Sequence, residues 1–146
     1  MALHQCLDMA LEKEDLDEDN WMISPQLNQP AKSTKKLDLW RVPQALIVHL
    51  KRFPQAEKVL TFVNYPDALD LSEWLVGPPP TEGCLYQLCA VVCHHGSTSR
   101  SGHYTTEALV DGTWFSFDDP KVTPLATFKP KADAYLLFYQ RQHVTT

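Results

Sequence analysis

What the 146-residue chain lacks narrows it first. Its four cysteines, Cys6, Cys84, Cys89 and Cys93, include no Cys-x-x-Cys pair. The N-terminus has neither the basic region nor the apolar core of a secretory leader. Reduced thiols in the cytoplasm or nucleus are therefore expected, rather than a disulfide framework. No apolar run approaches the roughly 20 residues of a membrane helix; Ala45 to Val48 falls far short, and no membrane partner is expected. Basic residues are outnumbered, 13 Lys and Arg against 18 Asp and Glu, for a net charge of -5. That balance argues against a nucleic-acid surface and suits ordinary solubility or a basic partner. No internal repeat appears. What is present, 44% hydrophobic and 21% charged residues, is the composition of one globular domain.

The most informative stretch runs from Gly102-His103-Tyr104-Thr105 to Trp114-Phe115-Ser116-Phe117-Asp118-Asp119. Between its ends, Asp111-Gly112 flanked by strand-forming residues predicts a hairpin with a two-residue turn. Val110 then faces Thr113, and counting outward places Thr105 opposite Asp118. Because side chains alternate, His103, Thr105 and Asp118 share one face, with His103 diagonal to Asp118 and within hydrogen-bonding range. An imidazole oriented by a carboxylate is the base-and-orienter half of a nucleophilic triad. A surface hairpin carrying an incidental pair would look the same, and a register slip of one residue would exchange Asp118 for Asp119.

Upstream, Leu3, Leu7, Ala10 and Leu11 recur at helical spacing, predicting a short amphipathic helix over Ala2 to Lys13, with an acidic loop after it. A strand-like stretch covers Leu37 to Val42. Ala45 to Phe53 reads as a strand whose first part is buried and central, with His49 a hydrogen-bonded structural histidine within it and Lys51 and Arg52 ending it at the solvent boundary. Lys58 to Tyr65 reads as a further strand, Asp70 to Leu75 as a short helix or turn, and Gly77-Pro78-Pro79-Pro80 as a stiff connector. Tyr86, Leu88, Ala90 and Val92 should line one strand face, and Cys89, Val91 and Cys93 the other. Gly96 to Gly102 reads as a flexible loop, and Ala134 to Tyr139 as a second buried strand. The fold class is α+β: a mainly antiparallel, twisted sheet with a short N-terminal helix.

The blocks Tyr86-x-Leu88-x-Ala90-Val91-Val92-Cys93-His94-His95-Gly96, Gly102-His103-Tyr104-Thr105, Trp114 to Asp119 and Ala134 to Arg141 resemble the histidine-box half of the ubiquitin-specific proteases. Pro43-x-Ala45-Leu46-Ile47-Val48-His49-Leu50-Lys51-Arg52-Phe53 and Leu3-His4-Gln5-Cys6-Leu7 resemble elements of the same family. The resemblance covers residues 1–146 as the C-terminal part of a papain-like catalytic domain, its palm and part of its fingers. It implies a cysteine-type deubiquitinase that cleaves after the C-terminal glycine of ubiquitin, with His103 and Asp118 catalytic, Asp119 assisting and Tyr104 lining the channel for the ubiquitin tail. Strand alternation by itself turns Asp119 away from His103.

Two departures stand out. The family's Asn-x-x-Cys nucleophile box is not in the sequence, so the expected partners are ubiquitin and the N-terminal part of the catalytic domain. Many relatives carry a zinc-binding Cys-x-x-Cys pair where this chain has Trp21-Met22-Ile23-Ser24-Pro25-Gln26. Those residues offer no thiolate or imidazole, so no structural metal and no cofactor are expected, and the finger should be short or held by packing. Absence of the nucleophile keeps open a catalytically inactive ubiquitin-binding or scaffold module. An autonomous hydrolase using Cys93 or Ser97 is a third reading.

Overall fold

The structure, a computed structural model, describes residues 1–54, 57–98 and 100–142. Its elements in chain order are α1 (Leu3–Leu11), β1 (Glu14–Asp15), β2 (Met22–Ser24), β3 (Gln29–Ala31), β4 (Thr34–Lys35), β5 (Ala45–His49), β6 (Ala68–Asp70), β7 (Leu85–Thr98), β8 (Ser101–Val110), β9 (Thr113–Asp118), β10 (Lys121–Pro124) and β11 (Ala134–Arg141). Seven strands form one antiparallel sheet in the order β10-β9-β8-β7-β11-β5, with β6 also pairing with the start of β7.

β7 is the axis of this sheet, and a bulge within it decides which of its residues are buried. Tyr139 pairs with Leu88 but Phe138 pairs with Ala90, leaving Cys89 as an extra residue. A second bulge lies in β11, where Leu136 pairs with Val92 but Ala134 pairs with Cys93, leaving Tyr135 as the extra residue. The Cys89 bulge shifts the alternation of β7 by one residue. The expected single face of Tyr86, Leu88, Ala90 and Val92 is thereby broken: the buried set is Tyr86 and Leu88, then Val91 and Cys93. With Leu3, Val63, Tyr65, Leu69, Leu137 and Tyr139 these make the core. The helix adds Leu3, fully buried, together with Cys6 and Leu7 at its margin. Cys6 is thus a packing residue.

Other expectations are revised. β5 ends at His49 and lies at the sheet's edge rather than its centre, since among the described residues β11 is its one partner. Its Ala45-Ile47-His49 face is exposed, Ile47 by 57%. His49 is not a hydrogen-bonded core residue among the described residues; it meets Tyr135 edge-on at 4.7 Å. Lys58 to Tyr65 is extended yet forms no strand, apart from an isolated bridge between Asn64 and Ala2. The reason is Arg52. Its buried guanidinium takes the carbonyls of Val59 (3.0 Å) and Thr61 (2.9 Å), acceptors a ladder would otherwise use, and also binds the Ala134 carbonyl of β11 (2.6 Å). Leu37 to Val42 likewise has no ladder beyond one bridge between Leu39 and Leu75. Of the two alternatives for Asp70 to Leu75, the structure has a turn at Ser72–Trp74.

The arm from β1 to β4 is two short ribbons, β1 with β4 and β2 with β3. Exposed ion pairs, Lys35–Glu14 at 3.0 Å and Lys32–Asp15 at 2.9 Å, flank it. Trp21 Nε1 donates to the Leu16 carbonyl at 2.9 Å, and Ser33 Oγ accepts from the Met22 N–H at 2.9 Å.

Candidate active site

The hairpin β8–β9 closes on Asp111-Gly112, whose φ values of +47° and +79° are the paired left-handed conformation that an Asp-Gly turn adopts. Its register runs Val110↔Thr113 to Thr106↔Phe117, which is the pairing the sequence implies. One step further out Asp118 stands across from Thr105, and His103 Nε2 lies 2.5 Å from Asp118 Oδ1. This bond, with the charges of Asp118 and Asp119, raises the His103 pKa above its ordinary 6.5. The imidazole is half exposed, and among the described residues its Nδ1 has no partner.

Asp119 departs from the expectation. It does not continue β9 and so does not follow the strand's alternation; it begins the turn to β10, where Lys121 pairs with Asp118, and has a left-handed φ of +50°. The turn brings its carboxylate back, so that one donor atom each of His103, Asp118 and Asp119 lies within 4.8 Å of the others. A His and two carboxylates are metal-capable ligand types. Here, however, His103 Nε2 and Asp118 Oδ1 are directed at each other, the arrangement of an ion pair rather than of an open coordination site.

The predicted flexible loop before His103 is instead strand. β7 runs to Thr98 and β8 begins at Ser101, with His95 paired to His103 and Thr98 to Ser101; Ser99 lies outside the described residues. Two glycines allow this close pairing. A Cβ on Gly96 would sit 2.7 Å from the Ser101 carbonyl oxygen, and one on Gly102 only 2.2 Å from His94 Nε2. His94, 2% exposed, packs on the far side of the hairpin from His103, against Tyr104 (4.8 Å) and Phe53 (5.4 Å). Tyr104 itself is 53% exposed. Its ring therefore flanks the hairpin tip on the face opposite His103.

None of the chain's thiols is placed as a nucleophile. Burial, aided by the Glu107 charge, pushes the Cys93 thiol up to about 11. Burial also raises Cys84 and Cys89. Cys6 packs beside Met1 on α1, with its Sγ 3.3 Å from the Met1 sulfur. A neutral buried thiol is a poor attacking group. Sequence reading did not assign a function to His95, Lys58 or Asp133, which cluster beside the pair. Only the doubled His94-His95 hinted at them.

The sequence pattern of the ubiquitin carboxyl-terminal hydrolase family matches residues 4–139. The chain belongs to that family. It is 41% identical to ubiquitin carboxyl-terminal hydrolase 3 of Mus musculus, over 94% of this chain and 28% of the relative. It is 38% identical to ubiquitin carboxyl-terminal hydrolase 5 of Arabidopsis thaliana, over 97% of this chain and 16% of the relative. Among solved structures it resembles the SAGA Ubp8/Sgf11/Sus1/Sgf73 DUB module bound to ubiquitin aldehyde, with a TM-score of 0.79 and 28% identity over 99% of this chain and 34% of that one. A yeast SAGA DUB module structure gives a TM-score of 0.82 at 29% identity, over 99% of this chain and 33% of that one. The chain thus spans about a third or less of the length of each of these proteins. Its ubiquitin-specific protease fold is that of the C-terminal part of the catalytic domain. No helix among the described residues is long and apolar enough to cross a membrane.

Proposed function

We propose that this chain supplies the general base and its orienting carboxylate to a thiol-dependent hydrolysis of the bond after ubiquitin's C-terminal glycine. The observation that carries the reading is the 2.5 Å contact between His103 Nε2 and Asp118 Oδ1. A carboxylate on Nε2 leaves Nδ1 as the nitrogen that faces a thiol, and it stabilises the imidazolium formed when the thiol gives up its proton. The thiolate attacks the carbonyl carbon, and His103 then returns the proton to the leaving amine. Asp119 adds negative charge beside the same imidazole, and Tyr104 forms a wall for the extended tail of ubiquitin. The thiol comes from the N-terminal part of the catalytic domain, because burial keeps this chain's core thiols protonated. That missing part and ubiquitin are the partners. Reduced cysteines suit the cytoplasm or nucleus.

The test is turnover of a ubiquitin C-terminal amide by the assembled catalytic domain. His103→Ala should abolish it, and Asp118→Ala should lower kcat/KM by about 10²- to 10⁴-fold. Asp119→Ala should cost less, since Asp119 acts on His103 through charge rather than through the direct bond. Turnover that survives His103→Ala would sink the proposal. The missing nucleophile also favours a second reading, a non-catalytic ubiquitin-binding module. Ubiquitin binding by the chain with no turnover once the Cys-bearing part is supplied would select it.

A further inference from the structure

The hairpin tip carries a second histidine that the reaction above does not use. His95 is the direct register partner of His103 across β7 and β8. Their rings lie stacked, with centroids 6.4 Å and planes 27° apart. Directly paired residues share a sheet face, so His95 stands on the face that also carries Thr105 and Asp118.

Both nitrogens of His95 have partners. Nδ1 lies 3.6 Å from Asp133 Oδ2, and Nε2 lies 2.8 Å from Thr105 Oγ1. Asp133 is anchored by Lys58, whose side chain is 3% exposed; its Nζ donates to Asp133 Oδ1 at 2.9 Å and also to the His94 carbonyl. Thr105 is one step out from Thr106↔Phe117, the last pair of the β8–β9 ladder, and continuing that register places it opposite Asp118. Two histidine–carboxylate pairs, His95–Asp133 and His103–Asp118, therefore lie side by side, met by one ring stack, with the Thr105 hydroxyl bonded to His95 on the face that also carries Asp118.

We propose that His95 is a positioning residue for His103, its own proton governing, through Thr105 and the ring stack, how His103 and Asp118 hold each other. The negative charge of Asp133, 3.6 Å from Nδ1, favours the neutral tautomer with its proton on that nitrogen, in which Nε2 accepts and the Thr105 hydroxyl donates to it. Protonated His95 carries hydrogen on both nitrogens. Nε2 then donates to Thr105 Oγ1, and the hydroxyl hydrogen of Thr105 is released toward the residue across the strand, Asp118. A hydroxyl bonded to Asp118 competes with His103 for that carboxylate, and a second cationic ring beside His103 opposes its protonation. The two effects have one sign: protonated His95 makes His103 less basic.

Among the described residues, the ionisable groups around His95 are Asp133 and Lys58 beneath it, His94 next in sequence and His103 across the ladder, with Asp118 and Asp119 beyond His103. This inference gains its catalytic meaning from the proposed role of His103. The coupling itself is a property of the chain alone and is measured there.

The experiment is an NMR titration of the His103 ring in the intact chain, in wild type, His95→Gln and Thr105→Val. In His95→Gln the midpoint of the His103 curve should rise by about 0.2–0.5 pH unit, the size expected for one exposed charge at this separation. Thr105→Val should raise it by a smaller amount, by removing the competing donor while leaving the His95 charge. A purely structural His95 would lower the unfolding midpoint and leave the His103 titration unmoved; that result in both variants overturns the proposal. Turnover surviving His103→Ala in the assembled domain would remove the catalytic meaning and leave the titration result standing.

Discussion

Gly102→Ala tests how tightly the hairpin places His103. The added methyl would lie 2.2 Å from His94 Nε2, 2.7 Å from His94 Cε1 and 2.8 Å from the His95 carbonyl oxygen. The last is backbone within the ladder, and the first two belong to a buried ring boxed by Phe53, Tyr104 and Tyr135. Neither neighbour can swing clear. Overpacking of this kind costs about 1–3 kcal/mol. For a chain of this length that corresponds to a Tm lower by about 2–12 °C. Because the strain falls on the residue next to His103, the His103–Asp118 contact should loosen too, and the His103 pKa should fall toward its ordinary value. The assay is urea unfolding at concentrations where the chain is monomeric, paired with the ring titration. Gly112→Ala is the contrast. Nothing lies within 4 Å of its Cβ, so its cost, about 1–2 kcal/mol, comes from the left-handed φ of +79° alone. It sits at the far end of the hairpin and should leave the His103 titration unchanged. A Gly102→Ala chain as stable as wild type, with His103 titrating normally, would refute the close packing inferred here.

Two more outcomes are expected. Burial and the neighbouring Lys58 and His95 depress the His94 pKa below 6.5, so the folded state binds fewer protons there than the unfolded state. His94 therefore adds stability that is full above about 6.5 and is lost as pH falls through its folded value; the urea midpoint should drop between pH 7 and 5, and less so in His94→Gln. His103 has the opposite sign: its raised pKa favours folding below 6.5, an advantage lost as pH rises through the folded value. Because the two act in opposite directions, the comparison decides: the same pH dependence in wild type and in His94→Gln would contradict the His94 assignment. The exposed apolar residues Ile47, Leu60 and Phe62 should make the isolated chain associate, seen as oligomers in size-exclusion chromatography and reversed by adding the N-terminal part of the domain. A monomeric, cooperatively folding chain would argue instead for an independent module.

The parts of this protein legible in its sequence are those set by local geometry. Asp111-Gly112 demands a left-handed two-residue turn, the turn sets the register, and alternation then carries His103 and Asp118 to one face. The helix over Leu3–Leu11 follows in the same way from its apolar spacing. Where alternation meets an extra residue, local reasoning fails. The bulges at Cys89 in β7 and Tyr135 in β11 depend on how the two strands fit together, and the first reverses the buried face of a strand whose pattern reads as regular. The fate of Lys58 to Tyr65 was equally out of reach, because the guanidinium that takes its carbonyls comes from Arg52, on the preceding segment. Asp119 turns back toward His103 only because β10 returns along β9. The joining of His95 to Asp133 and Lys58 spans residues 58 to 133, a distance no periodicity encodes. Sequence determined the pair, since one turn builds it; the tertiary fold determined its surroundings, since they come from segments that meet only once the sheet has formed.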